Sequence, residues 1–175
     1  GVVPLPGRFD AFGSVDPVPS ARTLLSDLLR DAYGMRVLTF DDRLALNGKT
    51  KYLAQRYPEA DYVLSIEGRS MHGEWLAGKG GRAGVGMTLR LVNVATQHDV
   101  AYGDCGEMTK KDDAAPTLSE LESNDGQRIK DVLKVLAAKC VRTFASQRLR
   151  AKEDSLAAFP RSNQDPFLPV VTGNG

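Results

Sequence analysis

The chain has 175 residues, 42% hydrophobic and 26% charged, with a formal net charge of +1. This is the composition of one globular domain of ordinary size, and it excludes wholesale disorder, collagen and coiled coil. So small a net charge sets up no global field toward nucleic acid or an acidic membrane, and no apolar run approaches the ~20 residues of a membrane helix.

Residues 1–19 hold Pro4, Pro6, Gly7, Gly13, Pro17 and Pro19. Proline fixes φ and removes a backbone donor, so this stretch reads as an extended N-terminal arm, with Val2 and Val3 as the end of a strand. Gly1 to Pro6 shows neither the basic nor the apolar region of a secretory signal. A single domain is expected over residues 20–152. It opens with a helix from an N-cap at Ser20 to Tyr33. Leu24, Leu25, Leu28, Leu29 and Ala32 form one apolar stripe, and Gly34 supplies the left-handed stop. Met35–Phe40 reads as a short strand. Asn47 and Gly48 break the chain, and a second short helix follows to Tyr57, ended by Pro58.

Asp61–Gly68 alternates, with Tyr62, Leu64 and Ile66 on one face and Ser65 and Glu67 on the other. Arg69–Gly84 is dense in glycine and reads as a mobile hairpin loop. Val85–Ala95 is the longest expected strand, with Val85, Met87, Leu89 and Leu91 opposite Thr88 and Arg90. A turn at Thr96–Asp99 leads to a returning antiparallel strand, Val100–Met108. Residues 109–127 are polar, with Pro116 and Gly126 as breakers. The last helix spans Gln127–Leu149, with Ile129, Leu133, Leu136, Cys140 and Phe144 on one stripe. Residues 153–175 carry Pro160, Pro166 and Pro169 and read as a flexible tail. The order implies an α/β (α+β) two-layer sandwich. It combines a mixed sheet containing an antiparallel hairpin, helices packed on one face, and a long C-terminal amphipathic helix.

Candidate chemistry is sparse. Gly78–Ala83 matches the dinucleotide fingerprint in letters, but that motif needs a helix N-terminus after it to meet phosphate, and here a strand follows. The same segment holds His72, Trp75, Lys79 and Arg82. Aromatic and cationic side chains of this kind anchor partners, so these four are the candidate partner-binding residues, against local packing of Trp75 over the sheet edge. Two histidines, His72 and His98, are too few for a His-rich metal site. There is no GxSxG elbow for a serine nucleophile. Asp41 and Asp42 are strand neighbours whose side chains point apart, which does not suit a glycosidase pair. Cys140 lies on an apolar stripe that disfavours a thiolate. No catalytic residue, metal ligand or cofactor is assigned.

Cys105 and Cys140 leave two readings open: two buried free thiols, or one disulfide in an oxidising compartment. The bridge requires the last helix to cross the returning strand. That helix region carries eight Lys or Arg between Arg128 and Lys152. They form either a solvated face or a contact with an anionic lipid surface. Aromatic interleaving for nucleic acid is missing, and nucleic acid is not an expected partner.

Three features carry a family resemblance: the strand Ala60–Gly68, the strand Gly86–Val94 running on toward Thr96, and the terminal amphipathic helix. Together they resemble the bacterial envelope lipoprotein domain shared by CsgG, the N-terminal domain of TolB, and LpoB. The resemblance implies a non-enzymatic periplasmic protein tethered to the outer membrane, acting in envelope assembly or export through protein contacts. The alternatives are an auxiliary lipoprotein of a lipid-transport system and a small enzyme with an unrecognised site. Envelope proteins are the expected partners, with a second copy of the chain as a further candidate.

Overall fold

Alternating residues in the middle of the chain build a meander onto which both termini of the domain return. The computed structural model describes residues 1–4, 16–38, 49–75, 81–109 and 118–161. The elements are β1 (Val2–Pro4), α1 (Val18–Tyr33), α2 (Thr50–Arg56), β2 (Tyr62–Trp75), β3 (Gly81–Asn93), β4 (His98–Met108) and α3 (Leu118–Gln147), followed by a 3-10 turn, Glu153–Leu156. The chain is a mixed α+β protein with one sheet in the order β1-β2-β3-β4. β2, β3 and β4 are antiparallel, and β1 lies parallel to β2.

Period-two burial sets the register of the meander. Leu64 pairs with Leu91 and Ile66 with Leu89, and all four are buried. Tyr62 packs half-buried against this cluster. One-residue slippage would turn the whole apolar set to the other face, so the pattern specifies the pairing strongly. Two irregularities re-aim side chains, one between Gly68 and Ser70 and one between Leu91 and Val92.

The expected loop at Arg69–Gly84 is corrected. β2 continues to Trp75 and β3 begins at Gly81, with pairs from Ser70↔Gly86 to Trp75↔Gly81. The physical reason lies across the sheet. Ala83 and Val85 are buried beneath Val132, Leu133 and Leu136 of α3, so a helix distant in sequence stabilises strands that glycine weakens. Thr109 tightens the same end: its N–H donates to Ala83 O and its Oγ1 accepts from Ala83 N–H, both at 2.8 Å.

The expected strand Met35–Phe40 shrinks to one parallel bridge, Val2↔Val37, beyond β1. Val2 N–H donates to Arg36 O and Leu38 N–H to Val2 O, each at 3.0 Å. A three-residue β1 offers no longer ladder; Thr39 and Phe40 lie outside the described residues. α1 starts at Val18, not at Ser20. Asp16 Oδ1 accepts the Val18 N–H at 2.9 Å. Pro17 and Pro19 fall at the helix start, where a missing N–H costs nothing. Gly34 closes α1 in the left-handed region, at φ 65°.

α3 starts at Leu118, earlier than expected, but its right-handed geometry is interrupted at Asn124 (φ 53°) and Gly126 (φ 68°). Gly126 therefore marks a local break inside the element and does not end it. The 3-10 turn follows α3, and Leu156 and Phe159 insert into the main core. Residues 153–161, assigned to the tail on sequence, thus pack against the domain. Residues 5–15 of the arm, 110–117 and 162–175 lie outside the described residues.

Placement of all helices on one face is also corrected. α1 and α3 cover the face of Leu64, Ile66, Met87 and Leu89. α2 covers the opposite face at one end, where Leu53, Ala54 and Tyr57 pack on Val63 and Val92. Those two valines alternate with the main core positions and form a second, smaller apolar patch that water would otherwise wet.

Candidate interaction surface around the outer strand

β4 ends the sheet order, so one side of it carries no strand among the described residues. Its two faces differ in chemistry. Ala101, Gly103, Cys105 and Glu107 occupy the face toward α3, pairing with Leu91, Leu89, Met87 and Val85 of β3. Gly103 permits close approach of the helix, because a Cβ there would meet Phe144 Cδ2 at 3.3 Å. Next to it, Cys105 and Cys140 are joined in a disulfide with Cα atoms 5.5 Å apart. Cys140 is fully buried and Cys105 partly so. The open choice between free thiols and a bridge is settled in the structure by the crossing of α3 over β4. Two residues on, the Glu107 carboxyl is pushed up by burial and pulled back down by the charge of Lys139 on α3.

The other face is polar. Arg69 Nε donates to Thr88 Oγ1 at 3.0 Å, and Thr88 Oγ1 donates to Asp104 Oδ1 at 2.5 Å. Arg69 also pairs with Glu67 at 3.2 Å. Nearer α2, Thr50 Oγ1 donates to Asp99 at 3.1 Å and accepts from Arg90 Nη1 at 3.4 Å. The Arg90 guanidinium lies 5.6 Å from the Tyr102 ring centroid, within cation–π range. Thr88 is 2% exposed, which is tolerable because its hydroxyl both accepts and donates. These charges are largely paired with one another.

Along β4 this same face also exposes Tyr102 (42%) and Met108 (48%), and Val100 (54%) is exposed at the irregularity opposite Leu91/Val92. An edge with free backbone groups and apolar side chains is a template for a partner strand.

Of the candidates named from sequence, His72, Trp75 and Arg82 lie on the paired ends of β2 and β3, opposite Gly84, Gly81 and Glu74. Lys79 lies outside the described residues, as do Gly78, Gly80, Asp41 and Asp42. The end of the β2–β3 hairpin therefore gathers three of the four along its backbone. His98 is exposed at the start of β4. The basic arc of α3 is not uniformly solvated: Lys139 is buried and Arg142 is turned into contacts with the 3-10 segment. The exposed trio on β4 escaped sequence reading. The irregularity at Leu91/Val92 shifts the register there, and strand-edge position is not a local property.

No family model matches the chain, and no curated protein matches it. Solved structures do. A PelC dodecamer from Paraburkholderia phytofirmans is 18% identical with a TM-score of 0.42, over 79% of this chain and 82% of that one. A hypothetical protein from Chlamydia trachomatis is 10% identical with a TM-score of 0.40, over 84% and 99%. A minor lipoprotein from Acinetobacter baumannii is 16% identical with a TM-score of 0.38, over 84% and 90%. None of the three transfers an activity, a partner or an assembly to this chain.

Proposed function

We propose that this protein is a non-enzymatic module of the bacterial cell envelope, residing in the periplasm at the outer membrane and acting in assembly or export by binding other proteins. The observation that carries the reading is the Cys105–Cys140 disulfide, the only cysteine pair of the chain. Disulfides persist in oxidising compartments and are rare where thiols are kept reduced. The bridge pins α3 behind β4 and so holds the outer strand rigid, which suits a strand that receives a partner. The motif resemblance of Ala60–Gly68 and Gly86–Val94 to envelope lipoprotein domains supports the same compartment. The exposed Val100, Tyr102 and Met108 support contact with protein more than with a small substrate.

The experiment is a thiol titration of the denatured, unreduced protein taken from its native host, combined with fractionation of the cell. Absence of free thiols, a mass two daltons below the reduced value and recovery with the envelope fraction are expected. Two free thiols, or recovery with the cytosol, would sink the reading.

A further inference from the structure

Beyond the irregularity at Val100, β4 keeps one unbroken register with β3 from Tyr102 to Met108. No further strand lies on its outer side among the described residues. Its side chains sort by face. Tyr102, Asp104, Gly106 and Met108 share the polar face with Arg90, Thr88, Gly86 and Gly84 of β3, while Gly103, Cys105 and Glu107 share the α3 face. A strand added here must match residue by residue, because directly opposed side chains lie only about 4.5–5.5 Å apart at Cβ.

A second copy of β4, antiparallel to the first, meets that demand in one register. Only a two-fold axis through a residue keeps like faces of the two strands together. An axis through Tyr102 or Gly103 would run the copy into the irregularity at Val100. Through Asp104 it would set that carboxylate against its own copy. Through Gly106 it would oppose Asp104 to Met108 and leave Tyr102 unmatched. Through Cys105 the conflicts disappear. Tyr102 then faces Met108 of the copy, Asp104 faces Gly106, and Gly103 faces Glu107, each pair occurring twice by symmetry.

The Gly103–Glu107 pair adds charge complementarity. The Arg148 side chain lies over Gly103, with Nε 3.7 Å from the Cβ position that the glycine leaves empty. Arg148 is exposed and has no ion pair among the described residues. In this register Glu107 of the copy comes beside that guanidinium and gains a second cation besides the Lys139 it already faces. α3 leaves room for the approach. It rests on Ala83 and Val85 of β3 and is bonded to Cys105 of β4, so it lies over the seam between those strands. Strands stand about 4.8 Å apart, which puts the seam about 5 Å from the axis. The two helices then lie about 10 Å apart, an ordinary helix-packing distance.

We propose that two copies of this protein pair antiparallel through β4, with the two-fold axis at Cys105, so that one sheet runs across both molecules. This rests on the reading of β4 as a partner-binding strand and names a second copy as the partner.

The test is sedimentation equilibrium of the intact, disulfide-bonded protein and of two variants at Gly106, where an added Cβ meets nothing within 4 Å. A reversible dimer is expected. Gly106→Asp sets a carboxylate against Asp104 of the copy at two places and is expected to weaken the dimer about tenfold. Gly106→Lys reverses the sign at the same places and is expected to tighten it about tenfold. Melting temperatures of the dilute monomers, equal in all three proteins, establish that the substitutions act on the pairing and not on the fold. A protein that stays monomeric up to about 1 mM overturns the proposal, as does a dimer indifferent to both substitutions. Either failure leaves the envelope reading standing, because that reading is decided by thiol content and cell fraction.

Discussion

Cys140 carries two roles at one position. Its side chain fills the stripe by which α3 docks, and its sulfur closes a covalent loop with Cys105 across 35 residues of sequence. A loop of that size restricts the unfolded chain by about 3–4 kcal/mol in the chain-entropy account. Chemical denaturation with and without reductant is expected to show a loss of that order, and the paired replacement Cys105→Ala with Cys140→Ala to match the reduced protein. A loss below about 1 kcal/mol would mean that the bridge constrains little. Glu107, two residues from Cys105, adds a pH dependence. Burial holds its folded-state pKa above the ordinary 4.5, against the pull of Lys139. A raised folded pKa means the native state binds the proton more tightly than the unfolded chain. The contribution is fully present below the unfolded pKa and is lost as pH rises through the folded value. Glu107→Gln is therefore expected to flatten the fall in stability as pH rises from about 4.5. Melting temperatures across that range check it, and an unchanged slope would contradict it.

At the level of elements, β3 is the centre of the protein. It is flanked by β2 and β4, packed under α3 on one face and against α2 at one end of the other, and Leu89 at its middle is fully buried. Leu89→Ala is expected to cost about 2–5 kcal/mol, since the rigid sheet beneath it cannot collapse into the cavity. A denaturation midpoint shift equivalent to less than about 1 kcal/mol would contradict the assigned face. α3 works in two parts. Val132, Leu133 and Leu136 hold down the far end of the hairpin, and Ala137, Cys140, Val141 and Phe144 hold the main core. The glycine at position 103 belongs to this second part, because any larger residue would push Phe144 outward.

For the molecule as a whole, one core runs from Val2 to Phe159. Both ends of the domain are tied into it, β1 through the parallel pairing with β2 and the 153–161 segment through Leu156 and Phe159. Arg142 fastens the latter by bonding Glu153 and the carbonyls of Leu156 and Phe159. Leu156→Ala is expected to destabilise the entire domain by about 2–5 kcal/mol, with a single unfolding transition retained. Arg142→Met is expected to speed hydrogen exchange at Ser155 and Phe159 selectively. Their N–H groups donate to Lys152 O and Leu156 O within the segment that Arg142 fastens. Exchange that rises equally throughout α1 would argue for a general loss of stability instead.

The local periodicities were legible without any structure. The α1 stripe through Leu24, Leu25, Leu28 and Leu29, the alternation of Leu64, Ile66, Leu89 and Leu91, and the stop at Gly34 are properties of neighbouring residues and reappear where expected, whereas Ala32, counted with the stripe, is exposed at the helix end. What lies opposite a residue is not a local property, and there the tertiary structure decided. Residues 70–75 and 81–84, expected as loop, became strand because α3 covers Ala83 and Val85. α2 went to the second face because Val63 and Val92 formed a patch that only the completed sheet creates. The proline-bearing segment after Lys152 packed because Arg142 bonds its carbonyls and Leu156 and Phe159 join the main core. Whether Cys105 and Cys140 are two thiols or one bridge turned on the angle at which a helix crosses a strand, a quantity set by the packing of both against everything else.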